Sequence, residues 1–253
     1  MRDNLFQSAL AAGRMPKGHM VWEFATRGMP RILDSAGLDF VVYDMEHSGF
    51  DLAAIADLLA ANAHCRVTPF VRIPQDHYHF IARVLDAGAM GIMVPNVKTP
   101  EQARAIVQYA KYPLAGIRGL GLGTAHNDYV MPNPAQYLEE ANQRTTIICQ
   151  MEHPEGIANA EAIASIPGVD VLWVGHFDLS ANMGMVGEFA RPEFQNALDA
   201  VVRAARATGK VSAIQPGTAE QFREFKAKGF DVLSYGADFN MYRAALSHAL
   251  HTW

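Results

Sequence analysis

A chain of 253 residues, half of them apolar, is long for an ordinary domain but typical of a single α/β barrel, with ample material for a large core. A formal charge of -5, with no stripe of lysine or arginine, argues against nucleic acid and acidic membrane as partners. Cys65 and Cys149 are far apart and lack CxxC spacing, so they indicate neither a disulfide framework nor a zinc knuckle and suit a reducing cytoplasm.

The first residues include an acid and no long apolar core, which predicts a short amphipathic helix over 3–13 rather than a signal peptide. No apolar run reaches membrane-spanning length. After the turn at Pro16-Lys17-Gly18, strand one is expected over His19 to Phe24, and Gly28-Met29-Pro30 opens a helix ending at Ala36-Gly37. Strand two is Phe40 to Tyr43; Asp51 then caps an alanine-rich helix running to about Ala63. Strand three is Val67 to Arg72, a helix runs from about His77 to Asp86-Ala87-Gly88, and strand four is Gly91 to Val94. Thr99-Pro100-Glu101 begins the next helix with a cap and a first-turn proline.

Leu114 to Pro134 is glycine-rich, holds Arg118 inside GIRGLGLG, and is longer than a usual connection, which marks it as a candidate active-site loop. A helix over Ala135 to Gln143, strand five over Thr145 to Met151, a helix over Ile157 to Ser165 and strand six over Val171 to Val174 follow. A polar excursion through Gly184 and Gly187 precedes a helix from Pro192 to Gly209, then strand seven (Val211 to Ile214), a helix (Ala219 to Lys228), strand eight (Val232 to Tyr235) and a last helix (Phe239 to Leu250). Alternating strands and helices without a linker predict one (β/α)8 TIM-barrel domain over residues 1–253. An open doubly wound sheet is the alternative, but it lacks GxGxxG after strand one and GxxxxGK[ST] anywhere.

Catalytic groups in such barrels sit at the C-terminal ends of strands. Those ends carry Asp44, Glu46 and His47, then Arg72, then Gln150 and Glu152, then Asp178. Two carboxylates from different strands beside an amide, with no thiolate, suit a hard divalent ion that keeps positions for substrate and water, magnesium or manganese before zinc. Each residue also has a plainer reading. Asp178 can be a helix cap, His47 a structural histidine, and Arg72 half of a structural pair with Asp44 or Glu46. His77, His79, His126, His153 and His176 are weaker candidates, and most of them read as loop or surface groups.

The blocks AGLDFVVYDMEHSGFDL, FVRIP, VLDAGAMGIMVPNVKTPEQA, GIRGLG and QMEHPEGIANAEAIASIPGVDVLWVGHFDLSANMG resemble, in order and spacing, the HpcH/HpaI family of metal-dependent, pyruvate-using class II aldolases. The resemblance implies a (β/α)8 barrel whose C-terminal helix is exchanged between subunits, in a hexamer built as a trimer of dimers. It implies cleavage or formation of the C3-C4 bond of a 4-hydroxy-2-oxo acid, with Mg2+, Mn2+ or Co2+ and with a 2-oxo acid and an aldehyde as small-molecule partners. By position, Glu152 and Asp178 resemble the metal ligands, Gln150 a substrate contact, His47 the catalytic base and Arg72 the transition-state stabiliser. Asp86 resembles the acid that raises the histidine's basicity, and Asp44 is expected to order metal-bound water. Main-chain N-H groups at Phe177 and Asp178 are expected to hold the substrate carboxylate.

The chain's own topology sets Asp86 at the end of a descending helix, opposite His47. Either it acts across a subunit boundary, or the turn places it differently, or the role does not transfer and it is a plain helix-end acid. His176 and Phe177 stand where many relatives have proline or a small residue, which bears on the substrate. Competing readings are a CoA-thioester lyase of the citrate lyase beta type, lacking a basic patch for a nucleotide 3'-phosphate, and a non-catalytic 2-oxo-acid-binding barrel. A Schiff-base aldolase would need a buried lysine, yet Lys210 precedes strand seven and Lys98 lies well beyond strand four.

Overall fold

Eight parallel strands close on themselves in chain order in a computed structural model that describes residues 2–252. They are β1 (Lys17–Val21), β2 (Phe40–Asp44), β3 (Thr68–Arg72), β4 (Gly91–Val94), β5 (Thr146–Met151), β6 (Val171–Val174), β7 (Val211–Ile214) and β8 (Val232–Ala237). Pairing of β8 with β1 completes the barrel and excludes the open sheet. Around it run α1 (Leu5–Ala11), α2 (Met29–Ser35), α3 (Leu52–Asn62), α4 (Tyr78–Asp86), α5 (Pro100–Ala110) and α6 (Pro134–Arg144). They are followed by α7 (Pro154–Ala158), α8 (Ala160–Ala164), α9 (His176–Asn182), α10 (Pro192–Thr208), α11 (Ala219–Lys228) and α12 (Asp238–His251). Among the described residues no helix is long and apolar enough to cross a membrane.

Strand residues alternate between two cores. Phe40, Val42, Phe70, Met93, Ile148, Trp173 and Ala213 fill the barrel, while Val41, Tyr43, Val71, Ile92, Cys149 and Leu172 pack under the helices. The Phe40 ring occupies the space that a side chain at Gly18 would need, so β1 contributes hydrogen there. Helix α1 closes the N-terminal mouth. Phe6 stands edge-on to Phe40 and Phe70 at 5.2 and 5.3 Å, and the Leu5 N-H donates to Thr68 Oγ1 at 2.8 Å. The C-terminal mouth is thereby the end left for chemistry.

The caps at Asp51 and Thr99 form as expected, each side chain accepting an N-H three residues on. Three expectations are corrected. Strand β1 ends at Val21 rather than Phe24, because the Trp22, Glu23 and Phe24 N-H groups turn onto the Asp238 carboxylate at 3.0, 3.0 and 2.8 Å. The helix expected over Ile157 to Ser165 starts at Pro154 and is broken at Asn159, whose amide donates to the Lys98 carbonyl at 2.9 Å. The segment from Leu114 to Pro134 follows a helix rather than a strand, so within one chain it lies at the N-terminal end, away from the catalytic mouth.

Candidate active site

The end of β2 is organised by Asp44, which is fully buried. Its carboxylate receives two parallel bonds from Arg72, Nε at 2.6 Å and Nη2 at 2.8 Å, and accepts the Glu46 and His47 N-H groups at 3.0 and 3.1 Å. The β2–α3 loop is thus curled around one acid, and Arg72 is presented in a fixed plane. The third guanidinium nitrogen lies 3.3 Å from Glu46 Oε2, which is 3.7 Å from His47 Nε2. Burial alone would weaken the Arg72 charge, but the Asp44 hydrogen bond and the charges of Asp44, Glu46 and Glu152 outweigh it and hold the guanidinium ionised. The Trp22 ring lies under Arg72, 5.0 Å from Cζ, and 5.7 Å from the His47 ring.

Across the mouth, the ends of β5 and β6 bring up Gln150, Glu152 and Asp178. Glu152 Oε1 accepts the Asn96 N-H at 2.6 Å, and Oε2 accepts Gln150 Nε2 at 2.6 Å. Burial, then the neighbouring Glu46 and Asp178 carboxylates, push the Glu152 carboxyl up to about 7, against the pull of the two hydrogen bonds. Asp178 lies in the first turn of α9 and is exposed. It acts electrostatically on both Glu46 and Glu152, which ties the β2, β5 and β6 ends to one locus. Gly175 is forced by this packing, since a Cβ there would collide with Glu152 Oε2 and stand 2.7 Å from Gln150 Nε2.

Among the described residues no group of three or more His, Cys, Asp or Glu forms a complete metal cage. The donor set nevertheless fits a divalent cation. Glu152 and Asp178 offer hard oxygen donors that would hold it, and the buried Gln150 Oε1 has no hydrogen-bond partner. Two protein acids leave the remaining coordination positions to substrate and water.

Beside Asp178, burial pushes the His176 imidazole down to about 4, so it is a neutral ring. It packs 4.8 Å from Phe177 and 5.2 Å from Phe189. Phe177, 60% exposed, stands edge-on to Phe189 at 5.0 Å. His176 and Phe177 therefore build an aromatic wall, so His176 is not among the plain loop histidines.

Asp86 ends α4 at the N-terminal side of the barrel, where Arg118 grips it with Nη2 at 2.5 Å. Its main-chain carbonyl accepts from His126 Nδ1 at 3.1 Å. Within one chain it does not meet His47. Lys111, buried and with its pKa lowered by desolvation, also lies at that end, its ammonium on the Asn142 and Thr145 carbonyls at 2.6 and 2.7 Å. It is therefore no Schiff-base lysine for this mouth.

Sequence reasoning missed Trp22, Asn96, Gly175 and Asp238. Trp22 stands just past the end of β1 at Val21, where the longer expected strand would enclose it. Asn96 adopts φ 58°, a left-handed conformation that Asn tolerates, and this aims its N-H at Glu152.

Residues 20–245 match the sequence profile of the HpcH/HpaI aldolase/citrate lyase family. A 5-keto-4-deoxy-D-glucarate aldolase of Shigella dysenteriae is 32% identical over 251 residues, covering 99% of this chain and 96% of that protein. Among solved structures, an HpcH/HpaI aldolase from Desulfitobacterium hafniense superposes with a TM-score of 0.92 at 30% identity, covering 97% of this chain and 95% of that one. An HpcH/HpaI aldolase/citrate lyase family protein from Burkholderia cenocepacia gives 0.91 at 30% identity, covering 99% of both chains.

Proposed function

Because the chain belongs to the HpcH/HpaI aldolase/citrate lyase family, we propose that it is a metal-dependent class II aldolase. It cleaves or forms the C3-C4 bond of a 4-hydroxy-2-oxo acid, giving pyruvate or a related 2-oxo acid and an aldehyde. The observation that carries this reading is the meeting of an imidazole, a fixed guanidinium and two acids from β2, β3, β5 and β6 around one locus. A metabolite-binding barrel would have no use for a base so placed.

Glu152 and Asp178 would hold a divalent cation, with Mg2+, Mn2+ or Co2+ suited to the oxygen donors. When bound, the cation supplies Lewis acidity toward the 2-keto group of the substrate. His47 removes the proton from the C4 hydroxyl, the C3-C4 bond breaks, and its electron pair passes into the pyruvate enolate as the aldehyde leaves. The His47 imidazolium then returns the proton to C3. Arg72, immobilised by Asp44, faces the enolate oxygen and stabilises the charge that develops there. Asp44 is a positioning residue for Arg72 and for the His47 loop, and that role is compatible with ordering water at the ion. Gln150 is a substrate contact whose unpartnered carbonyl oxygen can accept from a substrate hydroxyl, and the main chain at Phe177 and Asp178 receives the carboxylate.

The chain works as an oligomer in this reading, a hexamer built from dimers with α12 exchanged. Met241, Tyr242, Leu246 and Leu250, exposed on α12, support it. The role that the resemblance gives Asp86 at His47 would likewise need a second copy, since Asp86 ends α4 on the far side of the barrel. Cys65 and Cys149 are both buried and unpaired, which suits the cytoplasm.

The test is a panel of 4-hydroxy-2-oxo acids coupled to pyruvate detection. Turnover is expected with Mg2+ or Mn2+, loss in EDTA and rescue on adding the ion back. EDTA-insensitive turnover with covalent capture by borohydride would overturn the metal route.

A further inference from the structure

We propose that Asp238, at the start of the last helix, is a positioning residue for catalysis that acts through Trp22 on Arg72 and His47. The inference rests on the aldolase reading and adds to it the device that seats one wall of the site. Strand β1 pairs with β2 as far as Val21, and the next three main-chain N-H groups all turn to one carboxylate. Trp22 donates to Asp238 Oδ1 at 3.0 Å, while Glu23 and Phe24 donate to Oδ2 at 3.0 and 2.8 Å. Successive N-H groups curled around an acid in this way make a strong and specific clamp.

A first-turn acid often serves its own helix, but the hydrogen bonds of this one go to the β1–α2 loop. Asp238 is also the one buried residue of α12, so the helix leaves the barrel at this point and the acid stays behind as an anchor.

What the anchored loop carries is the Trp22 ring. Its buried indole N-H makes no hydrogen bond among the described residues, so the ring is not held by its own polar atom. Its place is set by the backbone that Asp238 grips and by packing on Phe239, 5.9 Å between ring centroids. Phe24, gripped by the same carboxylate, stands edge-on to Tyr242 at 5.6 Å. The Trp22 ring in turn lies 5.7 Å from the His47 ring and has Arg72 Cζ over it at 5.0 Å. Arg72 is therefore held twice, through its N-H groups by Asp44 and through its cationic carbon by the indole. The ring also keeps water from the guanidinium and the imidazole, which strengthens their action on charge developing at the enolate.

The experiment uses the full chain with Mg2+ and follows deuterium exchange at the pyruvate methyl group, which needs both the C3 proton transfer given to His47 and the enolate stabilisation given to Arg72. Asp238→Asn offers one oxygen in place of two and turns an amide NH2 toward N-H donors. It should lower kcat for exchange about ten- to a hundredfold, the scale for a small misplacement of catalytic groups, with KM for pyruvate within about twofold. Trp22→Leu should do the same, and Trp22→Phe, which keeps a ring, should recover to within about fivefold of wild type. The double variant Asp238→Asn with Trp22→Leu should be no slower than the slower single one, because losses carried through one ring do not add. Additive losses, or wild-type exchange in Asp238→Asn, overturn the proposal. Trp22→Leu leaves the clamp intact and tests the same chain of contacts from its other end, so wild-type exchange there overturns it even where Asp238→Asn fails to fold. Exchange by the wild type with undiminished rates in the variants removes the positioning role alone; no exchange by the wild type removes the aldolase reading and the role with it.

Discussion

Arg72 makes two parallel bonds to a carboxylate that has no exposure and turns its remaining nitrogen to Glu46. A lysine keeps the charge but cannot reproduce that fork. Arg72→Lys is therefore expected to lower kcat by about two to three orders of magnitude, the usual cost of losing an aimed charge donor, with KM for the 2-oxo acid nearly unchanged. Steady-state kinetics on the purified variant checks this. His47→Ala should abolish turnover while pyruvate still binds by calorimetry; turnover equal to wild type would remove the base assignment. Glu152 yields a pH prediction whose sign follows from linkage. Its carboxyl, ordinarily near 4.5, is raised to about 7 in the folded chain, so in the metal-free protein the neutral form is favoured. The associated stability is present below the ordinary value and lost as pH rises through 7, amounting to ~3 kcal/mol. A bound cation reverses that preference. Thermal melts should show Mn2+ raising Tm more at pH 8 than at pH 5, and an equal rise at both would contradict Glu152 as a ligand.

The β6–α9 elbow shows how an element end builds the site. Gly175 leaves room for Glu152 and Gln150 to sit against the backbone. Gly175→Ala should displace the Glu152 carboxylate and weaken metal affinity by about ten- to a hundredfold, the range for disturbing a ligand's support, while circular dichroism stays that of the wild type. Unchanged Mn2+ affinity by titration would contradict this. The same elbow marks what the sequence makes legible. Strands β4, β6 and β7 fall on the residues expected, because short β-branched runs are bracketed by glycine, proline or polar breaks. Glu152 and Asp178 were legible for the same reason, as acids just beyond such runs. The start of α9 was legible as a helix N-terminus near Asp178, but its extent was not, since GHFDLSANMG has glycine on both sides and no apolar repeat long enough to bound a helix. Nor was the end of β1, which is imposed by Asp238, 216 residues away from Trp22. Asn96 was hidden because its contribution is a main-chain N-H aimed by a left-handed backbone, which no side-chain pattern announces.

At the scale of the whole molecule, the barrel is plugged at one end by its own first helix and left apolar on the outside by its last. Phe6 fills the N-terminal mouth against Phe40 and Phe70, so Phe6→Ala should cost about 3–5 kcal/mol in chemical denaturation, as for other buried aromatic deletions. The outer surface argues for assembly. Helix α12 exposes Leu246 at 46% and Leu250 at 61%, and the Leu114 to Met131 segment exposes Leu114, Ile117, Leu120, Val130 and Met131. Large apolar side chains left exposed on a helix and on a long connecting segment suit subunit contacts. Light scattering should therefore return a multiple of the 27.7 kDa chain mass. Leu246→Glu with Leu250→Glu is expected to shift the protein toward smaller species and, because Asp86 reaches no His47 in its own chain, to lower kcat alongside. Asp86→Asn should leave the assembly intact by light scattering yet lower kcat, since the proposed role of Asp86 is at His47 of a second copy. A wild-type chain that is monomeric and fully active at micromolar concentration would refute both the exchanged helix and the shared acid.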